Sequence, residues 1–252
     1  MELRVPARRQ RGAVRAQRSD RRQHGAVRVI AHLLVAAAAI WLLLSALGLL
    51  LTHEFGTGPV HRADLGVDVW FEHHRTAFWN SVMLFGTDMA MTSTVIAVTA
   101  VVALLLRWRL KNWRSSLIIV TAVVGEVVIF LAVTLTVPQR RPPVAKLQAV
   151  PPTSSYPSGH TAAAVALYCG IAVLLLLLYG RHPLARIVAC VLFLVPVFVA
   201  VARLYMGEHY PSDVIAGALL GSLWLSQVFR MLPGPAEPQA RRQPAVTATR
   251  RR

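Results

Sequence analysis

Apolar residues in this chain fall in blocks too long for the strands or helices of a water-soluble core. Six such blocks follow one another, at residues 29–51, 79–106, 115–137, 161–179, 187–202 and 214–229. A bilayer core about 30 Å thick is crossed by about 20 apolar residues in a helix. The pattern therefore predicts an all-α fold, a polytopic membrane bundle of six transmembrane helices. The last two blocks are short by strict count, and polar residues at their ends are expected to continue the same helices while facing protein rather than lipid. The first block outruns the roughly 7–15 apolar residues of a signal peptide and no A-x-A site closes it, so it reads as an anchor. No long internal repeat is evident, which disfavours a transporter built from duplicated halves.

Charge adds an orientation. The formal net charge is +16, but it is concentrated at the ends. Residues 1–28 carry nine Arg against Glu2 and Asp20, and residues 230–252 carry six Arg against Glu237. Both ends are rich in Pro, Arg and Gln and lack apolar periodicity, so 1–28 and 231–252 are expected to be basic, disordered cytoplasmic tails around a membrane domain at 29–230. Flanking Arg retains a helix end in the cytoplasm, and such clusters attract anionic lipid at about 1 kcal/mol per residue. No aromatic or motif-bearing domain accompanies this charge, so membrane lipid and not nucleic acid is the expected partner. Arg107, Arg109, Lys111 and Arg114 crowd the second connection, and Arg181 and Arg186 the fourth. These connections join the tails in the cytoplasm, leaving the first, third and fifth connections outside. Arg140, Arg141 and Lys146 in the third connection oppose that bias, and a functional task would account for them. Cys169 and Cys190 lie within apolar blocks and indicate no disulfide framework.

Polar residues gathered at one membrane face of so apolar a chain mark a functional site. The third connection supplies Arg140-Arg141-Pro142 and then Tyr156-Pro157-Ser158-Gly159-His160, and the fifth supplies Arg203 to Asp213. All fall on the same predicted side. Ser158, Gly159 and His160 precede an apolar helix, whose first-turn N–H groups and positive dipole end attract an anion. Arg141 and Arg203 offer planar forks for phosphate oxygens. His209 and Asp213 are spaced i to i+4, placing a carboxylate beside an imidazole on a helical turn, where it can orient the ring as a nucleophile. Two histidines can then divide the work, one attacking phosphorus and the other protonating the leaving oxygen.

These residues resemble the type 2 phosphatidic acid phosphatases, membrane lipid phosphatases whose active site is shared with vanadium haloperoxidases. That pattern has Lys and, after six residues, Arg-Pro; then Pro-Ser-Gly-His; then Ser-Arg, five residues, His, three residues and Asp. Here Arg141-Pro142, Pro157-Ser158-Gly159-His160, and Arg203, His209 and Asp213 match at the same spacing. The resemblance implies that His209 is the nucleophile, Asp213 its orienting partner and His160 the general acid. It implies that Arg141, Ser158, Gly159 and Arg203 bind the phosphoryl oxygens, and that neither metal nor organic cofactor is needed. The implied substrate is an amphiphilic lipid phosphate: phosphatidic acid, phosphatidylglycerophosphate or a polyprenyl diphosphate such as the undecaprenyl carrier. Two positions depart from the pattern. Thr134 stands where Lys is usual, making Arg140 or Lys146 candidates to supply the missing cation, and Ala202 stands where Ser is usual.

Two other readings compete: a phosphotransferase of the same fold that passes the group to an acceptor other than water, and a non-catalytic membrane scaffold or transporter. Asp88 and Glu126, inside predicted spans, mark either a proton path or interhelical bonding. His53, His61, His73 and His74 lack trusted ligand spacing and read as exposed loop histidines. Gly217 and Gly221 form a small-x-x-x-small pair that predicts close helix packing within the bundle and by itself implies no dimer.

Overall fold

The computed structural model describes residues 7–53, 58–150 and 152–232, with side chains described from Gly25 onward. Among the described residues eight helices follow in order: α1, Ala7–His53; α2, Pro59–His73; α3, Ala77–Asp88; α4, Thr92–Leu110; α5, Arg114–Thr136; α6, Gly159–Tyr179; α7, Pro183–Tyr205; and α8, Pro211–Met231. Among the described residues there is no strand. Six of the helices are long and apolar enough to cross a membrane: α1 from Gly25, α4, α5, α6, α7 and α8. Their outer faces carry Leu42, Leu104, Leu135, Ile187 and Ile215, all exposed. Water offers nothing to such a surface, whereas lipid does. The chain is a multi-pass, all-α membrane protein.

The polar ends of the last two blocks do continue their helices, for α7 reaches Arg203 and Tyr205 and α8 begins at Pro211. The second block is corrected. It is not one span over 79–106 but two helices, α3 and α4, separated at Met89–Met91. Turn bonds from Ala90 N–H to the Thr87 carbonyl and from Met91 N–H to the Asp88 carbonyl end α3. The Tyr168 hydroxyl of α6 donates to the Met89 carbonyl at 2.7 Å, satisfying a group freed at the break. Asp88 is consequently an exposed residue at a helix end and not a member of a buried proton path. Helical backbone in α1 also begins at Ala7, within the stretch expected to be a disordered tail. Residues 1–6 and 233–252, which hold the remaining tail expectations, lie outside the described residues.

Side chains of Ile118, Ile119, Ile129 and Val133 from α5, Leu167 from α6, and Leu220 and Trp224 from α8 form the fully or nearly fully buried core. Close approach of α8 to α6 depends on the two glycines singled out by their spacing. A Cβ at Gly217 would strike the carbonyl of Ser158, and one at Gly221 the carbonyl of Ala162. Gly217 thus presses α8 against the very turn that begins α6. His32 in the early part of α1 and Gln227 near the end of α8 approach to 3.2 Å, so the ends of the described chain meet at one face. The connections before α3, α6 and α8 meet at the other.

Candidate active site

The fifth connection is held in shape by Gly207, whose φ of +75° belongs to the left-handed region that L side chains rarely adopt. A Cβ there would also strike the Ala145 carbonyl. The turn delivers two buried polar residues, Glu208 at 1% and His209 at 4% exposure, between the end of α7 and the start of α8.

His209 Nδ1 lies 2.7 Å from the carbonyl oxygen of Ser155. A carbonyl only accepts, so Nδ1 carries the proton and Nε2 the lone pair. Burial, followed by the charges of Arg203 and Arg141, lowers the His209 pKa well below its ordinary value, so the ring is neutral near pH 7. Asp213 is beside the ring as the i, i+4 spacing predicts, but at 3.7 Å from Nδ1. Its Oδ2 accepts instead from the Tyr210 N–H at 3.0 Å, closing the first turn of α8. The hydrogen bond that fixes the tautomer is therefore made by Ser155, and Asp213 sets its buried carboxyl group alongside it. Nothing in the sequence pattern marked Ser155 for this task, because the contact uses its backbone.

Ser158 is the N-cap of α6, accepting from Thr161 N–H. Its own N–H donates to the Asp213 carbonyl at 2.9 Å, which ties the third connection to α8. That donor is accordingly unavailable to an anion, leaving Gly159 and His160 as the first-turn donors. A Cβ at Gly159 would meet the ring of Phe130, so glycine lets that ring pack against the start of α6. His160 is half-buried, and its electrostatic neighbours are Arg203, His209 and Arg141.

Both arginines converge on Glu208. Arg203, 2% exposed, pairs through Nη2 with Glu208 Oε2. Arg141 Nη1 donates to the Glu208 carbonyl at 2.9 Å and lies 4.0 Å from Oε2. Burial lowers the Arg141 pKa, Glu208 and Asp213 oppose that shift, and the guanidinium stays charged. Arg203 Nε and Nη1 and Arg141 Nε are buried with no protein partner. Three cationic donors without a protein partner call for water or an anion to satisfy them. Glu208 escaped sequence reasoning, although a carboxylate between two motif residues of an apolar chain was a usable signal.

The substitutes expected for the missing Lys are not gathered here. Arg140 is exposed, and Lys146 Nζ is bound to the carbonyls of Pro142 and Val144. Thr134, near the end of α5, has a buried hydroxyl with no partner and brings no charge.

Covering the site from outside is α2, where sequence reading found only a charged connection. Asp64 accepts from Ser212 N–H at 3.3 Å and from Ser212 Oγ at 2.5 Å. Asp68, one turn on, is fully buried with neither oxygen bonded. Burial first, then Asp64 and Asp213, raise its pKa to about 8. Arg75 donates to the carbonyls of Tyr205 and Ala145, and Glu72 accepts from Ala145 N–H, which binds the first, third and fifth connections together. The loop histidines form no centre: His74 stacks on Trp70 and His61 packs edge-on against Tyr210.

Known proteins resemble this chain in sequence and in fold. A family model described as the PAP2 superfamily matches residues 131–235, which include every motif residue described above. An undecaprenyl-diphosphatase of Sulfolobus acidocaldarius is 33% identical over 155 residues, covering 61% of this chain and 70% of that protein. Lipid A 1-phosphatases of Rhizobium johnstonii and Rhizobium etli are 40% identical over 72 residues, spanning 29% of this chain and 25% and 26% of theirs. The crystal structure of a transmembrane PAP2 type phosphatidylglycerolphosphate phosphatase from Bacillus subtilis superposes with a TM-score of 0.65. It covers 80% of this chain and 92% of that one at 24% identity, a likeness of fold. With the motifs, the helices that carry them and a relative matched over more than two thirds of its length in agreement, this chain belongs to the PAP2 superfamily.

Proposed function

We propose that the protein is an integral membrane phosphatase that hydrolyses a lipid phosphate or diphosphate through a phosphohistidine intermediate, without a metal. The observation that carries this reading is His209, a neutral imidazole with its Nδ1–H held by Ser155 beside two arginines with open donors. In the first step Nε2 of His209 attacks phosphorus and the bond to the leaving oxygen breaks. His160 gives that oxygen a proton, so the lipid departs as an alcohol or as the shorter phosphate. Arg141, Arg203 and the N–H groups of Gly159 and His160 hold the phosphoryl oxygens as charge gathers on them. In the second step His160, now a base, takes a proton from water. The oxygen attacks phosphorus, the P–N bond breaks, and inorganic phosphate and neutral His209 are restored.

The substrate classes are phosphatidic acid, phosphatidylglycerophosphate and polyprenyl diphosphate. Undecaprenyl diphosphate gains support from the undecaprenyl-diphosphatase that is 33% identical over 61% of this chain. The basic connections at 107–114 and 181–186 support a reading in which the opposite end of the bundle, with both termini, is cytoplasmic and the site faces the extracytoplasmic side. A lipid entering there from the outer leaflet keeps its tail in hydrocarbon while its phosphate reaches the ends of α6 and α8.

The test is phosphate release by purified protein in detergent and EDTA, across these three lipids, beside His209→Ala. Release by the parent that disappears in the variant supports the proposal and ranks the substrates. Release only after metal is added would sink the metal-free mechanism, and transfer of the phosphoryl group to an added alcohol in place of water would make the protein a transferase.

A further inference from the structure

Glu208 is a buried carboxylate that the reaction above does not use. Its Oε2 faces both guanidiniums, paired with Arg203 Nη2 and 4.0 Å from Arg141 Nη1, and its Oε1 accepts from Gln148 Nε2 at 2.6 Å. The same residue's carbonyl accepts from Arg141. One edge of each arginine is therefore committed to Glu208, while Arg203 Nε and Nη1 and Arg141 Nε remain open. Asp213 makes no such contact, its oxygen being used by Tyr210. We propose that Glu208 is a positioning and selectivity residue of the phosphate site: it fixes both guanidiniums and lowers the site's charge by one, favouring singly over doubly charged tetrahedral oxyanions.

The proposal rests on Arg141 and Arg203 being the phosphate-binding pair. Two guanidiniums with no counter-charge repel each other and attract a dianion strongly. A carboxylate in direct contact with them weakens that attraction by a full unit charge, at a distance and burial where one charge changes anion affinity about tenfold or more. A monoanion loses half as much. The chemical consequence is a preference for a phosphoryl group entering with one proton still on it, and easy departure of doubly charged inorganic phosphate.

Sulfate and perchlorate test this, being tetrahedral oxyanions of similar size that keep charges of two and one across the neutral range and do not react with imidazole. Their binding to the full-length protein in detergent is measured by titration calorimetry. Glu208→Gln is expected to tighten sulfate about tenfold or more and perchlorate much less, raising the sulfate-to-perchlorate ratio, while Glu208→Asp keeps the parent ratio. An unchanged ratio, with both anions weakened alike, makes Glu208 a structural brace and overturns the inference alone. Binding of neither anion to any of the proteins overturns the phosphate-site assignment itself. Should Glu208→Gln not fold, the parent decides: perchlorate bound as tightly as sulfate, or more tightly, agrees with the inference, and a clear preference for sulfate overturns it.

Discussion

The imidazole of His209 is oriented by the main-chain carbonyl of Ser155, 2.7 Å from Nδ1, and not by the side chain of Asp213, 3.7 Å away. A backbone acceptor cannot be removed by mutation, which sets apart the expected effects of the neighbouring side chains. His209→Ala removes the proposed nucleophile and is expected to abolish phosphate release. Asp213→Asn leaves the ring's hydrogen bond in place and replaces only the carboxyl group beside it, so kcat should fall about 10²- to 10⁴-fold with KM little changed. Steady-state kinetics on one lipid substrate separate the two, and an Asp213→Asn variant as dead as His209→Ala would return the orienting role to the carboxylate.

The depressed pKa of His209 makes a second prediction, about stability. In the folded protein the ring resists protonation, whereas in the unfolded chain it takes up a proton near pH 6.5. Below that pH the unfolded state therefore binds the extra proton, and the folded state loses ground as pH falls. Thermal unfolding followed from pH 8 to pH 5 should show the Tm of the parent falling relative to that of His209→Gln below about pH 6.5. A constant difference between the two proteins would mean that His209 titrates normally in the fold.

Asp68 has the opposite sign. Its carboxyl is raised from 3.8 to about 8, so the folded state holds a proton that the unfolded state has released across that interval. Stability is thus complete at low pH and declines as pH climbs through neutrality towards 8. Asp68→Asn keeps the shape without the ionisation and is expected to raise Tm at pH 8, by roughly 2–4 °C for each 1 kcal/mol recovered. The gain should vanish near pH 4. A variant less stable than the parent at pH 8 would show that the Asp68 carboxylate is needed in its charged form.

How much of this was legible beforehand depended on what each feature requires. The six crossings were readable because lipid demands long apolar runs, and the motif residues because phosphoryl chemistry demands particular side chains at particular spacings. The break between α3 and α4 was not, since Thr87 and Asp88 are too few to interrupt an apolar pattern, and the bond that satisfies the break comes from Tyr168, far along the chain. Asp64 gave no signal either. Its partner Ser212 is 148 residues away, and a carboxylate in an outside connection looks the same in sequence whether it faces water or grips a helix. Ser155 acts through a main-chain atom that every residue possesses. Gly217 and Gly221 were legible as a packing pair, but what they pack against, the carbonyls of Ser158 and Ala162, was not.

The Asp64 contact is strong enough to measure. Its two bonds, to the N–H and hydroxyl of Ser212, are both to a charged acceptor, a class worth about 1.5–3 kcal/mol. Ser212 immediately precedes Asp213, so α2 anchors the start of α8 from outside. Asp64→Asn and Ser212→Ala are each expected to lower stability, and the double variant to lose less than the sum, with a coupling of about 1 kcal/mol or more. Denaturation of the four proteins in detergent gives that value, and additive losses would mean the contact does not hold α8.

Gly217 offers the sharpest link between packing and activity. A methyl group at this position meets the Ser158 carbonyl, a main-chain atom that cannot swing aside, so α8 and the first turn of α6 must part. Overpacking of this sort costs about 1–3 kcal/mol. The displacement falls between His160 on α6 and Asp213 on α8, the elements whose spacing the proposed chemistry needs, and so kcat should drop along with Tm in Gly217→Ala. Gly66→Ala is the control: Gly66 is exposed on α2 with nothing within 4 Å of a new Cβ. There the better helix propensity of alanine should leave activity intact and raise stability by up to about 1 kcal/mol. If Gly217→Ala loses stability yet keeps its full kcat, the proposed site does not depend on the contact between α6 and α8.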